Sequence, residues 1–246
     1  MSKTIILIPS RLAATRLPNK PLLKINGLSI INHVYQKAIS SEIGETYVAT
    51  GDERIYEEVT KNGGKCILTE KNHKTGTDRI FEALQKLNNK KADYVINLQG
   101  DEPMIDIEDV KNLHKQGINN KSEIATLACE IKNEIMFSKN HIVKVISEEK
   151  ILKDSITKAK TFLRKILQYN QENVYHHIGI YLYKVSILEK FVNLKQTKNE
   201  ISQKLEQLRA MENNISIDVI LANSSPIGVD TQEDYMEIKK LMEYKN

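Results

Sequence analysis

Cysteine is scarce in this chain, with two residues, Cys66 and Cys129, among 246. Both fall in predicted strands, where they read as small buried apolar residues and not as a disulfide or a metal site. No apolar run approaches the length of a membrane-spanning helix. No basic block announces a nucleic-acid surface, because lysines are spread along the chain and the net charge is only +4. The GxxxxGK(S/T) and GxGxxG signatures are both absent, so a nucleotide site here has to use side-chain cations, backbone amides and a metal. There is no internal repeat, low-complexity run or clear linker. Met1-Ser2-Lys3 leads straight into a strand and leaves no room for a signal peptide, so the expectation is a cytoplasmic protein.

What remains is ordinary globular composition, 40% hydrophobic and 28% charged, in a length enough for one large α/β domain or two small ones. Ile5-Ile6-Leu7-Ile8 reads as a buried strand that Pro9 stops. The polar loop after it carries Arg11, Arg16 and Lys20, separated by the small residues Ser10, Ala13, Ala14 and Thr15. A loop at the carboxyl end of a parallel strand is where open α/β sheets bind ligands. Three cations there suit a triphosphate, since arginine offers forked donors and lysine a point charge.

Further on, Ile30, Ile31, Val34 and Ala38 keep helical spacing, with Ser29 placed to cap. Thr46–Thr50 reads as a strand, Thr50 with Glu53 as a capping box for a helix through Ile55 and Val59, and Gly63-Gly64 as its end. Cys66–Leu68 is a short strand, Ile80, Leu84 and Leu87 share a helix face, and Tyr94–Leu98 is a strong strand. Strand and helix alternate to this point, which predicts right-handed βαβ units and a parallel sheet. The second half is more mixed. Ile124–Cys129, Ile142–Ile146, Ile178–Tyr183 and Ile217–Leu221 read as strands, and helical patterns lie near Ile187–Val192, near Ile201–Met211 and from Thr231 to the end. The expectation is one domain over residues 1–246, with a β-rich flap used for dimerisation.

Asp101 sits just past a buried strand, in Gln99-Gly100-Asp101-Glu102-Pro103, and is the best candidate metal ligand. Mg²⁺ takes one or two carboxylates plus substrate oxygens and waters. Asp230 is the candidate second carboxylate. It directly precedes a helix that Thr231 and Asp234 are placed to cap, and an Asp in that place is most often a cap itself. The alternative for Asp101 is a turn residue before Pro103. Thr75-Gly76-Thr77-Asp78-Arg79 opens a helix, either to present amides to an anion or simply to cap. His176 and His177 precede a strand, and Glu206-Gln207-Leu208-Arg209 reads by default as solvated helix charge.

Taken together, these segments resemble the 3-deoxy-manno-octulosonate (Kdo) cytidylyltransferases, or CMP-Kdo synthetases. The segments are Ile8–Arg11 through Thr15–Pro21, then His73–Arg79, Asn97–Pro103, His177–Tyr181, Leu205–Arg209 and Gly228–Thr231. They follow the family's order and span nearly the whole chain. The resemblance implies a nucleotide-diphospho-sugar transferase-like (Rossmann-like) α/β fold with a mostly parallel central sheet, flanking helices and a β-rich dimerisation flap. It implies a single cytidylyltransferase domain, a homodimer, Mg²⁺, and CTP and Kdo as substrates, with neither nucleic acid nor membrane insertion. The implied reaction is CTP plus Kdo giving CMP-Kdo and pyrophosphate, for lipopolysaccharide synthesis. Arg11, Arg16, Lys20 and Asp101 would carry catalysis. Ser10, Arg11, Arg16, Lys20, Thr75, Gly76 and Arg79 would bind CTP. Gln99, His177, Tyr181, Glu206 and Gln207 would face the sugar acid, and Asp101 and Asp230 would hold the metal.

One segment departs from the pattern. Where the family usually has an aromatic stretch ending in Phe-Ser-Arg and then Ile-Pro, this chain has the basic run Lys150–Lys165. Either the sugar pocket is rebuilt around other cations, or a mobile loop has diverged. A related sugar acid or amino-Kdo as substrate, and a non-catalytic nucleotide-binding protein on the same fold, are the alternatives.

Overall fold

The computed structural model describes residues 2–13, 16–87, 92–131, 133, 135–166, 172–224 and 227–244; Ala14 and Thr15 of the first basic loop lie outside the described residues. The chain divides into two compact units, residues 1–107 with 226–246 and residues 108–225. The first holds β1 (Thr4–Ser10), β2 (Lys24–Ile25), β3 (Leu28–Ser29), α1 (Ile30–Ser40), β4 (Glu45–Thr50), α2 (Glu53–Lys61), β5 (Cys66–Leu68), α3 (Gly76–Lys86) and β6 (Tyr94–Asn97). At the division comes α4 (Ile107–Asn119), and then β7 (Ile124–Glu130), α5 (Ile135–Ser138), β8 (Lys144–Ser147), β9 (Ile156–Leu163) and β10 (Val174–Lys184). After these follow α6 (Val185–Val192), α7 (Lys198–Gln203), α8 (Gln207–Glu212) and β11 (Ile217–Leu221), and α9 (Gln232–Glu243) belongs to the first unit again.

In the first unit the alternation of strand and helix yields the expected parallel ladder, in the order β5-β4-β1-β6. β1 is interior to that ladder, and Ile5 to Ile8 are fully buried on both faces, as a near-continuous apolar run requires. Pro9 does not stop the strand. β1 runs on to Ser10, pairing Pro9 with Ala49, but its ladder to β6 ends at Leu7 opposite Asn97. Proline thus falls where one side of the strand is already unpaired, and a missing N–H is tolerated.

Two expected caps are built differently. Ser29 precedes α1 but makes no capping bond; its Oγ accepts from Asn32 Nδ2 at 2.9 Å. Thr50 remains inside β4, so α2 starts after Asp52, and the Thr50 hydroxyl accepts from the Asp52 N–H at 3.1 Å. The Asp52 carboxylate is spent elsewhere, accepting from Leu12 N–H at 2.9 Å and so tethering the basic loop. Gly63 takes a positive φ of 76° after α2, which is the turn a glycine there permits.

The second unit is antiparallel in the main, with order β10-β7-β11-β9-β8; β8 also pairs with β10, closing the set. The Lys150–Lys165 run is not a loop throughout, because β9 occupies Ile156–Leu163, with Phe162 fully buried. Lys158 and Lys160 are exposed on either side of buried Ala159, and a register shift against β8 between Ala159 and Thr161 lets Phe162 turn inward as well, so the strand keeps no strict alternation. The helical pattern at Ile201–Met211 is broken into α7 and α8 by Lys204 at φ 53°, and Leu205 beyond it is buried. A helix absent from the sequence reading, α4, packs Gly117 against Leu182 and Ala125, where an added Cβ would come within 2.4 Å of Leu182.

Candidate active site

In the first unit, an apolar contact brings distant charges together. Leu17, between Arg16 and Lys20, is buried in a cluster with Ile25, Ile30, Val229 and Ile238. Val229 is the neighbour of Asp230, and its N–H donates to the Asp101 carbonyl at 2.9 Å. Asn19, in the left-handed region at φ 56°, then starts a single 3-10 turn over Lys20–Leu22. Lys20 is thereby aimed at both acids. Its Nζ lies 2.6 Å from Asp101 Oδ2 and 3.1 Å from Asp230 Oδ1, with the side chain only 12% exposed. Arg16 adds a 3.0 Å contact to the other oxygen of Asp230 in a more exposed setting.

The electrostatics follow from this packing. Burial alone would lower the Lys20 ammonium, but Asp101 and Asp230 together outweigh it and raise its pKa. Burial pulls Asp230 upward, and Lys20 and Arg16 reverse that and hold its carboxyl below the usual range. At Glu102 Lys20 pulls the same way but does not prevail. Burial, and then its neighbours Asp101 and Asp230, push it up to about 8, and its buried Oε2 has no hydrogen-bond partner among the described residues. It stands as a neutral acid at the edge of a charged cluster, and the sequence gives no signal of it beyond its place beside Asp101.

A cavity of about 360 Å³ opens on this cluster. Ser10, Arg11, Arg16, Lys20, Thr75, Gly76, Arg79, Gln99, Asp101 and Asp230 all line it. Every candidate residue of the first unit therefore sits on one surface. Ser10 Oγ is buried and has no hydrogen-bond partner among the described residues. Thr75 caps α3 in a full capping box with Asp78, so capping and anion presentation coincide at one helix start. Gly76 lies against Pro9, where a Cβ would come within 3.2 Å of the ring. Arg79 is buried, and its guanidinium is committed to Thr69 Oγ1 at 2.6 Å and to the carbonyls of Glu70 and Lys71 at 3.1 and 3.2 Å. Burial lowers its pKa, with Asp52 opposing and Arg11 assisting. Arg79 thus stiffens the cavity wall. His73 also lines the cavity, its Nε2 paired with Glu82, and was visible in sequence only as part of its motif.

Asp230 does not cap α9; Thr231 and Asp234 do, in a full capping box. The Asp230 carboxylate is left for the cations. Among the described residues no group of three or more His, Cys, Asp or Glu side chains is disposed to hold a metal ion. Two carboxylates converging on one ammonium do fit a hard divalent ion that completes its shell with substrate oxygens and water.

The four remaining candidates gather within the second unit. His177 and Tyr181 lie on β10, flanking a register shift against β7. Thr126 Oγ1 sits 3.0 Å from His177 Nε2 and 3.1 and 2.8 Å from the carbonyls of Ile178 and Ile180, fixing that irregularity. The rings of His177 and Tyr181 are 5.5 Å apart. Burial, with His176 nearby, drops the His177 pKa to about 3, so the imidazole is neutral. Burial, then Tyr183 and Glu206, raise Tyr181. The Glu206–Arg209 stretch is not solvated charge: Gln207 and Arg209 are buried, and Glu206 retains 27% side-chain exposure.

A family model described as cytidylyltransferase matches residues 5–217. The 3-deoxy-manno-octulosonate cytidylyltransferase of Brucella anthropi is 42% identical over 233 residues, 94% of this chain and 93% of that protein. That of Rhodopseudomonas palustris strain BisB5 is 43% identical over 232 residues, 94% of each. A solved structure of CMP:2-keto-3-deoxy-manno-octonic acid synthetase complexed with CTP superposes with a TM-score of 0.91 at 35% identity, covering all of both chains. UDP-glucose pyrophosphorylase complexed with UDP-glucose shares the fold, at a TM-score of 0.73 and 15% identity.

Proposed function

Since the chain belongs to the 3-deoxy-manno-octulosonate cytidylyltransferase family, we propose residue by residue how it carries out that family's chemistry. It is a nucleotidyltransferase that joins CTP and Kdo into CMP-Kdo and releases pyrophosphate. The observation that carries the assignment of roles is the Lys20 ammonium shared by Asp101 and Asp230 at the mouth of β1.

The anomeric hydroxyl of the sugar acid attacks the α-phosphate of CTP in line, and pyrophosphate leaves. Little covalent work falls to the protein, so positioning and charge stabilisation dominate. Lys20, Arg11 and Arg16 offset the charge that builds on the leaving pyrophosphate. Ser10, Thr75 and Gly76 present a hydroxyl and the start of α3 to the nucleotide, on a wall that Arg79 holds rigid. Asp101 and Asp230 would hold Mg²⁺, and the chemistry it supplies when bound is Lewis-acid polarisation of phosphate oxygens. Gln99, His177, Tyr181, Glu206 and Gln207 take the sugar acid. Neutral His177 and Tyr181 offer hydrogen bonds without charge, and Glu206 accepts from sugar hydroxyls.

In this reading residues 1–246 make one cytidylyltransferase domain from the two compact units. It acts as a homodimer through a β-rich flap, in the cytoplasm, supplying lipopolysaccharide synthesis. Among the described residues no helix is long and apolar enough to cross a membrane. The test is pyrophosphate release with each ribonucleoside triphosphate, with and without Kdo and related sugar acids. Release is expected with CTP and Kdo together. Release independent of the sugar acid, or equal rates with all nucleotides, would overturn the assignment.

A further inference from the structure

One residue lining the cavity of the first unit, His73, has no part in the mechanism above. It ends a segment that three side chains of α3 fasten to the helix. Arg79 donates to Thr69 Oγ1 and to the Glu70 and Lys71 carbonyls, and Lys86 donates to the Leu68 carbonyl at 2.8 Å. Between them Glu82 accepts from the Glu70 N–H with both oxygens, at 3.0 and 2.9 Å, and from Lys86 Nζ at 2.8 Å. Its further contact is His73 Nε2. The two side chains are mostly buried, His73 at 16% exposure and Glu82 at 18%.

Glu82 fixes the chemistry of the ring as well as its place. Burial pulls the Glu82 carboxyl upward, but Lys86, the Glu70 N–H and His73 outweigh it and hold it below the usual range, so it is ionised and only accepts. Nε2 therefore carries the ring proton, and in the neutral imidazole Nδ1 is the acceptor. Nδ1 has no hydrogen-bond partner among the described residues and is not one of their fully buried atoms left without one. A site that selects CTP has to tell an amino group from an oxo group at C4 of the base, which takes an acceptor that cannot turn donor. The neighbouring side chains do not supply it. Ser10 Oγ can donate or accept, Thr75 Oγ1 is taken by the Asp78 N–H at 3.1 Å, and Arg11 and Arg79 only donate. Lys20, Arg16, Asp101 and Asp230 contact one another, and the start of α3 with His73 is left for the nucleoside. On the proposed reading of this cavity as the CTP site, we infer that His73 is a specificity-determining residue whose Nδ1 accepts from the 4-amino group of cytosine, with Glu82 as the positioning residue that holds the ring in that tautomer. A uracil base would set its O4 against the same lone pair, two acceptors with no proton between them.

The test is calorimetric titration of CTP and of UTP into the protein without sugar acid, for wild type, His73→Gln and His73→Asn. Gln keeps a donor for Glu82 and loses the acceptor at the Nδ1 position; Asn keeps an amide oxygen near that position and loses the reach to Glu82. Wild type should prefer CTP. His73→Gln should cut that preference about tenfold, and His73→Asn should weaken both nucleotides while keeping the preference within about threefold. The reverse pattern, or an unchanged preference in both variants, would make His73 only a tether for its loop and overturn the inference. Nitrogen NMR of the wild-type ring gives a second measurement that needs no variant. Nδ1 should resonate as the unprotonated nitrogen and move on adding CTP but not UTP; no movement with CTP would overturn the inference. Glu82→Gln should bring up the other tautomer and lower the preference about threefold, and an unchanged tautomer would remove Glu82 from the positioning role. If wild type binds neither nucleotide, or both alike, the proposed CTP site itself falls. If wild type prefers CTP and His73→Gln does too, the CTP site stands and the role of His73 falls.

Discussion

Replacing Lys20 with methionine removes an ammonium while keeping much of the apolar stem. In the free protein that ammonium is held by Asp101 at 2.6 Å and Asp230 at 3.1 Å. On a triphosphate it would make charge-assisted hydrogen bonds, each worth about 1.5–3 kcal/mol net. Part of that gain is offset by loosening the existing contacts. The Asp230 contact is half exposed and screened, so its loss counts for less than about 1 kcal/mol. The net loss for Lys20→Met is about 1.5–2.5 kcal/mol, or roughly 10- to 70-fold in CTP affinity. Calorimetric titration of CTP into the sugar-free protein measures this directly, and KM for Kdo should move by less than about threefold because Lys20 is assigned no sugar contact. Arg16→Met should cost less, about threefold, since its side chain is 62% exposed. Equal losses for CTP and Kdo, or an unchanged CTP titration, would refute the triphosphate role.

Asp101→Asn should abolish turnover while CTP still binds weakly, which pyrophosphate release and a CTP titration on the same preparation would record. Wild-type rates would remove Asp101 from the metal site. Below neutrality the protein should lose stability, because burial holds His177 near 3 and the unfolded imidazole titrates at its ordinary value. The unfolded chain then binds the extra proton between about pH 6.5 and 3, and each unit of acidification across that window costs at most about 1.4 kcal/mol. Denaturant midpoints across that range should flatten in His177→Asn, and an unaltered slope would contradict the burial argument. Gly51→Ala should lower Tm through a clash worth about 1–3 kcal/mol, because its Cβ would lie 2.6 Å from Lys71 Cα and 2.8 Å from the Glu70 carbonyl, the segment that Arg79 grips.

The first unit was the more legible in sequence because the central strands β1 and β6 are buried on both faces and its helices alternate with its strands. Hydrophobic runs alone placed β1, β4, β5 and β6. Charge misled where a strand exposes one face. The lysines of β9 hid its buried Phe162, and Arg209 read as solvent-facing because nothing local reports the carboxylate that covers it. Side-chain caps were misassigned at Ser29 and Thr50, whose hydroxyls accept instead from the Asn32 side chain and the Asp52 N–H, neighbours three and two residues on that compete with the capping bond. Asp230 was a candidate from its place before a helix, but capping was the stronger local reading, since the apolar meeting of Leu17 with Val229 that delivers it to Lys20 spans most of the chain. Glu102 and His73 were unreadable as site residues, because burial and a single ionic neighbour define them.

A buried ion pair in the second unit, Arg209 Nη2 to Glu200 Oε1 at 2.7 Å, also constrains how this sequence can drift. Losing either member of the Glu200–Arg209 pair strands an uncompensated charge at 4% exposure, a penalty of about 3–5 kcal/mol. That is a large fraction of what keeps a protein folded, so single-step neighbours at these two sites are closed. Variation there has to arrive as paired replacements, in which both charges go together.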